Sequence, residues 1–225
     1  MKKAYDTIII GAGVVGCSTA LQLAKQGLKI AVIDQNKKPG FGTTSYSSAI
    51  SRSCYTNLES VKTAYEGYHI LKNWRDFLNL PKSKVNDDNL AKLVDLNGFL
   101  LMTNNDSKKF IDLTVPLMKK AGVPVKFLSR SELDKMFGDP FKADLNNVYD
   151  KPRLISDPKF GQSLTNITCQ GGYLMEATGY VNDPQLATRN LVDACSKYWE
   201  NQEGIVQPTE FMMGSKHTCQ RPEGG

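Results

Sequence analysis

The opening segment of the chain predicts an α/β fold built around a parallel sheet. Two short apolar runs rich in β-branched residues, Thr7–Ile10 and 29–33, are typical of strands in such a sheet. Between them a glycine-rich turn leads into a helical pattern with the small residues Ala20 and Gly27 on one face. Strand, helix and strand at this spacing predict a β-α-β unit, from which α/β folds are built.

The turn after the first run has the sequence Gly11-Ala12-Gly13-Val14-Val15-Gly16, a G-x-G-x-x-G pattern. The first glycine permits a tight turn, the second lets the backbone approach a pyrophosphate, and the third lets the helix pack closely on the sheet. The free N–H groups and positive end of the helix can then bind a diphosphate without a cationic side chain. The turn therefore predicts a dinucleotide-binding site.

The second run ends at Asp34, which is followed by Gln35. A carboxylate at this strand end can accept hydrogen bonds from a ribose hydroxyl, so both residues are candidate cofactor contacts. The alternatives are a chance cluster of glycines and a secretory signal. The register of strand, turn, helix and acid argues against the first, and Asp6 before the apolar run argues against the second.

Composition and charge exclude several functional classes. The 225 residues suffice for one large or two small domains, and the net charge of +5 comes from scattered lysines, which argues against nucleic-acid binding. No apolar run approaches the roughly 20 residues of a membrane span. Five cysteines without close pairing and two histidines predict neither a metal site nor a disulfide framework, which favours a cytoplasmic protein.

The middle of the chain alternates predicted helices and strands. Helical spacing of apolar residues predicts a helix over 60–78 that ends before Pro81. A turn at Asn97-Gly98 precedes a predicted strand, and a helix over 107–121 containing Pro116 precedes another strand over 123–128.

Two later helix starts have recognisable caps. Ser129 and Glu132 match a capping box, and Asp183 followed by Pro184 predicts an N-cap and the first residue of a helix. Residues 143–168 have no clear pattern, and the tail from residue 201 predicts at most two short strands.

Three landmarks give the chain a resemblance to a known family. They are the glycine unit near the N-terminus, the segment from Gly42 to Tyr55 with hydroxyls and N–H groups at Thr43, Thr44, Ser45, Ser48 and Ala49, and the segment 172–184. Together they resemble the N-terminal half of the D-amino-acid oxidase-like family of FAD-dependent oxidoreductases, whose members include sarcosine oxidase, glycine oxidase and dimethylglycine dehydrogenase.

The resemblance implies FAD as the cofactor, with the hydroxyl segment lying along it. It implies a Rossmann-like FAD-binding domain with an inserted α+β substrate domain. The expected division is 1–84 for the first part of the FAD domain, 85–168 for part of the substrate domain and 169–225 for an incomplete return. The C-terminal half would then be missing, so we expect weak FAD binding, uncovered apolar strand faces and a partner chain that supplies the rest.

The resemblance also implies a substrate site and a reaction. Arg52 would clamp a substrate carboxylate and Tyr55 would line the same pocket. The reaction would oxidise the C–N bond of a small amino acid or N-methylated amino acid by hydride transfer to flavin, and no general base can be named. Alternatives are a surface ion pair for Arg52, core packing for Tyr55, an NAD(P)-linked dehydrogenase, and a non-catalytic nucleotide-binding fragment.

Overall fold

The computed structural model describes residues 4–80, 85–95, 98–103, 107–137, 154–158, 169–195 and 209–214. The chain divides into two compact units. Unit 1 combines residues 1–50, 69–94 and 180–225, and unit 2 combines residues 51–68 and 95–179.

The described residues form strands and helices in a mixed order. The strands are β1 (Thr7–Ile10), β2 (Ile30–Asp34), β3 (Ile50–Ser51), β4 (Leu93–Asp95), β5 (Phe99–Thr103), β6 (Val125–Ser129), β7 (Gly171–Met175), β8 (Gly179–Val181) and β9 (Glu210–Met213). The α-helices are α1 (Val14–Ala24), α2 (Leu58–Lys72), α3 (Trp74–Leu78), α4 (Lys108–Lys120), α5 (Arg130–Phe137) and α6 (Pro184–Asp193). The short strands β3, β8 and β4 form a sheet in that order.

A parallel sheet with the strand order β1-β2-β9 forms the centre of unit 1. Thr7 lies opposite Ile30 between β1 and β2, and Asp34 lies opposite Met213 between β2 and β9. Helix α1 connects the first two strands, which confirms the predicted β-α-β unit. Its buried face, formed by Cys17, Ala20, Leu21 and Ala24, belongs to the core of this unit.

Strand β1 exposes one apolar face, although its composition is typical of a buried parallel strand. Ile8 is 58% exposed and Ile10 is 84% exposed, whereas Ile9 packs against the core of unit 1. Strand β1 pairs only with β2 among the described strands, and the side chains of Ile8 and Ile10 point away from the core by the alternation of a strand. By contrast, Ala31 and Val32 of β2 are both buried.

The helix predicted over 60–78 is two helices. Asn73 leaves helical geometry with φ of −112° and ψ of 40°, and Asn79 ends α3 with φ of 55°. Asparagine adopts the left-handed region more readily than other non-glycine residues, which explains the end of α3 before residue 81. The predicted apolar face is confirmed, since Val61, Tyr68, Trp74 and Leu78 are buried.

An antiparallel sheet with the order β5-β7-β6 forms part of unit 2. Its central strand β7 lacks a strand pattern because it opens with two glycines. A Cβ at Gly171 would lie 2.6 Å from the carbonyl oxygen of Leu128, and one at Gly172 would lie 2.7 Å from Leu100 Cδ1. The close neighbours on both sides therefore require glycine at these two positions, although glycine has a weak strand propensity.

The predicted helix caps are confirmed. The backbone N–H of Ser129 donates to Glu132 Oε2 at 2.7 Å, and the N–H of Glu132 donates back to Ser129 Oγ at 3.4 Å. Asp183 Oδ1 accepts from the N–H of Leu186 at 2.8 Å, with Pro184 as the first residue of α6. Pro116 lies inside α4, as expected.

Within the described residues, no helix combines the length and apolar character that crossing a bilayer requires.

A buried asparagine joins α6 to the loop before β4 in unit 1. Asn190 Oδ1 accepts from Trp74 Nε1 at 3.3 Å and from the N–H of Ala91 at 2.9 Å. Its Nδ2 donates to the carbonyl oxygen of Asn89 at 2.9 Å. Because Trp74 and Ala91 are buried, the amide oxygen replaces hydrogen bonds with water that their N–H groups would otherwise lose.

We expect Asn190→Leu to lower the free energy of unfolding by about 3 kcal/mol, since it leaves the buried N–H groups of Trp74 and Ala91 without their partner. Urea unfolding followed by tryptophan fluorescence measures the change. Gln22→Ala, on the exposed side of α1, serves as the control and should alter stability by less than about 0.5 kcal/mol. Equal stability of the two variants would contradict this role for Asn190.

Candidate functional site

The glycine turn brings two backbone segments of unit 1 close together. Gly11 has φ of 106°, and its N–H donates to the carbonyl oxygen of Ile33 at 2.8 Å. A Cβ on Gly16 would lie 1.9 Å from the carbonyl oxygen of Gly11. Only glycine fits at position 16, because any side chain would push the first turn of α1 away from the end of β1.

Asp34 is tied directly to this turn. Its Oδ2 accepts a hydrogen bond from the N–H of Ala12 at 2.7 Å. Its Oδ1 accepts from the backbone N–H of Asn36 at 2.7 Å and from Asn36 Nδ2 at 2.9 Å. The carboxylate therefore lies at the glycine turn, where it could also accept from a ribose. Asn36 is a positioning residue that sequence reasoning missed, since one asparagine in a loop carries no signal.

The hydroxyl segment begins as a short 3-10 helix at Thr43–Tyr46, where the sequence shows no helical period. Thr44 Oγ1 accepts from the N–H of Val14 at 3.1 Å, and it would lie 3.0 Å from a Cβ on Gly13. The N–H of Gly40 donates to the carbonyl oxygen of Ala12 at 2.8 Å. The structure thus brings the glycine turn and the hydroxyl segment together.

The other predicted cofactor contacts of this segment differ in their hydrogen bonds and exposure. Ser45 Oγ donates to the carbonyl oxygen of Gly42 at 2.7 Å, whereas Thr43 and Ser48 are exposed. Ala49 has φ of 52°, and its N–H donates to Ser47 Oγ at 3.0 Å. A left-handed alanine carries backbone strain, which is common at ligand sites. Gln35 is exposed beside Asp34.

This arrangement fits an anionic cofactor. The first N–H groups of a helix have no hydrogen-bond partner within the helix. In α1, Thr44 Oγ1 accepts from the N–H of Val14. Val15 is 77% exposed, so the start of α1 faces solvent rather than the core. Backbone amides there could donate to a diphosphate while the Asp34 carboxylate accepts from a ribose hydroxyl, and FAD carries both groups.

Arg52 and Tyr55 lie in unit 2. The Arg52 Cζ is 5.9 Å from the centroid of the Tyr55 ring and also 5.9 Å from that of Phe99. Arg52 is exposed and Tyr55 is 40% exposed. No carboxylate in the described part of the chain forms an ion pair with Arg52. Within the described ranges, the guanidinium lies against two aromatic rings rather than in an ion pair.

Two buried thiols lie behind the glycine turn. Cys195 Sγ is 4.0 Å from the carbonyl oxygen of Cys17, where α6 meets α1. Burial raises the pKa of Cys17 to about 12, with smaller contributions from Cys195 and Asp34, and burial likewise raises the pKa of Cys195 to about 12. A protonated thiol is a poor nucleophile, which argues against a reactive role for either cysteine. Both side chains pack in the buried core of unit 1. No metal-ligand cluster occurs among the residues described.

Comparison with known proteins identifies the family. The family model of the FAD-dependent oxidoreductases called DAO matches residues 6–198. The chain belongs to this family. FAD is therefore its cofactor, as the sequence resemblance implied.

Three proteins similar to this chain differ in their named substrates. The chain is 45% identical over 51 residues to a glycerol 3-phosphate dehydrogenase from Caloramator mitchellensis, a match that covers 23% of this chain and 11% of that protein. L-proline dehydrogenase from P. horikoshii has a TM-score of 0.63 at 17% identity, covering 95% of this chain and 45% of that one. Glycine oxidase from Geobacillus kaustophilus has a TM-score of 0.60 at 18% identity, covering 93% and 46%. The chain therefore spans less than half the length of these solved relatives.

We expect Cys17 and Cys195 to resist iodoacetamide in the native chain at about pH 8. With pKa values of about 12, roughly one thiol in ten thousand is ionised at that pH, and burial blocks access as well. Mass mapping after labelling checks this, with the urea-unfolded chain as the positive control. Native labelling as fast as labelling in urea would contradict the packing described here.

We expect Gly16→Ala to lower the free energy of unfolding by about 3 kcal/mol and to weaken FAD binding further, because the added methyl group collides with the Gly11 carbonyl. Urea unfolding and an equilibrium titration with FAD, followed by flavin fluorescence, are the measurements.

Gly67→Ala is the matched control for this substitution. It lies within α2, where an added Cβ meets nothing within 4 Å, so it should stabilise the chain by up to about 1 kcal/mol. If Gly16→Ala behaved like Gly67→Ala, the close approach at the glycine turn would be disproved.

Proposed function

We propose that this chain is the nucleotide-binding and substrate-contacting part of an FAD-dependent oxidoreductase that oxidises the C–N bond of a small amino acid or N-methylated amino acid. The observation that carries this substrate class is the exposed Arg52 guanidinium, which has no carboxylate partner among the described residues. A guanidinium fork matches a carboxylate with two parallel hydrogen bonds and stays charged at any working pH.

Different residues are proposed to contact each part of FAD. The backbone of the glycine turn would hold the diphosphate, and Asp34 with Gln35 would face the adenosine ribose. The hydroxyl segment would follow the remainder of the cofactor. Its proposed contacts are Thr43, Thr44, Ser45, Ser48 and Ala49. The hydrogen bonds from Ala12 to Asp34 and from Val14 to Thr44 support a preformed site.

The chain's own residues supply binding and orientation. When bound, FAD supplies a two-electron acceptor for the hydride that leaves the carbon next to the substrate nitrogen. Arg52 would fix the substrate carboxylate, and Tyr55 would form one wall beside it. Fixing one end of a small substrate limits the positions that its reacting carbon can take, which lowers the entropic part of the barrier.

We propose that further polypeptide completes the enzyme, and that the described chain alone binds FAD weakly. The supporting observations are the exposed faces of Ile8 and Ile10 on β1 and the span of less than half of the solved relatives. A partner chain carrying the remaining elements is one way to cover this surface. We also propose a cytoplasmic location, which the odd number of cysteines favours.

Glycerol 3-phosphate is a second candidate substrate. It is favoured by the 45% identity to a glycerol 3-phosphate dehydrogenase, and a guanidinium also binds phosphate bidentately. Reduction of the FAD-reconstituted chain under anaerobic conditions, with sarcosine, glycine, L-proline and glycerol 3-phosphate compared at equal concentration, tests the two substrate classes. Bleaching of the flavin by glycerol 3-phosphate alone would reject the amine proposal.

We expect Arg52→Lys to weaken sarcosine binding about tenfold or more, because lysine keeps the charge but loses the bidentate fork. Titration calorimetry on the FAD-loaded chain gives the dissociation constant without requiring turnover, and KM follows where turnover is measurable. Arg189→Lys is the matched control, since that side chain is 60% exposed and lies 3.8 Å from Asp183 Oδ2. An unchanged dissociation constant in Arg52→Lys would remove Arg52 from the substrate site.

A further inference from the structure

The position of Arg52 depends on a residue that lies far from it in sequence. Its guanidinium contacts two aromatic rings, those of Tyr55 and Phe99, each with its centroid 5.9 Å from Cζ. Tyr55 follows closely in the chain, whereas Phe99 is the first residue of β5. A cation at this distance from a ring is attracted by the negative charge on the ring face.

Phe99 is anchored by its strand and by the core of unit 2. It lies opposite Met175 in the antiparallel pairing of β5 with β7. By strand alternation Phe99 and Leu101 share one face, and both pack against a buried cluster that contains Cys54, Val61 and Met175. Phe99 therefore contacts the core of unit 2 as well as Arg52.

The turn before β5 also constrains this ring. Gly98 has φ of 105°, and a Cβ there would lie 2.7 Å from Leu174 Cδ1 and 3.0 Å from the carbonyl oxygen of Met175. The chain must enter β5 through glycine at this point, which sets where the Phe99 side chain begins. The aromatic contact of Arg52 is thus built on a rigid element rather than on a mobile loop.

The two rings orient Arg52 without occupying its hydrogen-bond donors. Aromatic faces attract the positive charge of the guanidinium, but they leave its N–H groups free to donate in the plane of the fork. No carboxylate or carbonyl oxygen of the described residues accepts from them. A carboxylate partner would have positioned Arg52 equally well, but it would have competed with an incoming anion.

We propose that Phe99 is a positioning residue for anion recognition, which holds Arg52 against the core of unit 2 with its fork free for a substrate carboxylate. The inference rests on the substrate role proposed for Arg52. Phe99 itself contacts neither substrate nor cofactor in this scheme. Tyr55 completes the contact from the exposed side.

The reactivity of Arg52 tests the positioning directly. Butane-2,3-dione modifies free guanidinium groups, and mass mapping of the full chain gives the rate at Arg52 alone. We expect Phe99→Leu to raise this rate about two- to fivefold, because the attraction lost at an exposed cation–aromatic contact corresponds to that factor. Phe99→Trp, which keeps an aromatic face, should stay near the wild-type rate.

Matched variants separate the ring contact from general loosening. Phe110→Leu makes the same substitution at a phenylalanine of α4 that is 40% exposed, and it should leave the Arg52 rate unchanged. If Phe99→Leu does not fold, Phe99→Met takes its place, since methionine fills similar volume without a ring. A wild-type Arg52 rate in a folded ring-free variant would overturn the inference.

Sarcosine distinguishes this inference from the proposed function. If both hold, sarcosine protects Arg52 of the wild-type chain from butane-2,3-dione, and Phe99→Leu binds sarcosine about two- to fivefold more weakly. If Phe99→Leu raises the Arg52 rate but sarcosine does not protect, the positioning stands and the carboxylate role fails. If sarcosine protects but the rate in Phe99→Leu is unchanged, the carboxylate role stands and the positioning by Phe99 is rejected.

Discussion

The nucleotide-binding part of the structure depends on one close backbone contact, the packing of the first turn of α1 against the end of β1. Position 16 has no room for a Cβ because the Gly11 carbonyl oxygen would lie 1.9 Å away. This contact brings the start of the helix to the strand end, and it leaves the amides of the first turn facing solvent. A larger residue would move the helix and with it the donors for a diphosphate.

Three further contacts tie the surrounding segments to this turn. Asp34 accepts from Ala12, Thr44 accepts from Val14, and Gly40 donates to Ala12. Hydrogen bonds to the backbone of the glycine turn and the first residue of α1 thereby hold together a carboxylate, a hydroxyl segment and a row of amides. Such a site needs little rearrangement on binding, so less of the interaction energy is lost in ordering it.

Arg52 in unit 2 is positioned by contacts that do not neutralise its charge. Its guanidinium lies against Tyr55 and Phe99 rather than against a carboxylate. Aromatic faces stabilise a cation less than an ion pair does in a dry environment, but they leave its hydrogen-bond donors free. In the proposed function, this free fork binds the carboxylate of an anionic substrate.

The sequence by itself determined the β-α-β unit, the glycine turn, the caps at Ser129 and Asp183, and the family, because these features are written in short local patterns. Tertiary structure alone decided which residues of β1 are exposed, that β7 is a central strand, and that Asn190, Asn36 and Phe99 hold other groups in place. Burial, strand pairing and side-chain partners of this kind arise between segments far apart in the chain or from single polar residues. No periodicity of one segment records which distant surface will meet it.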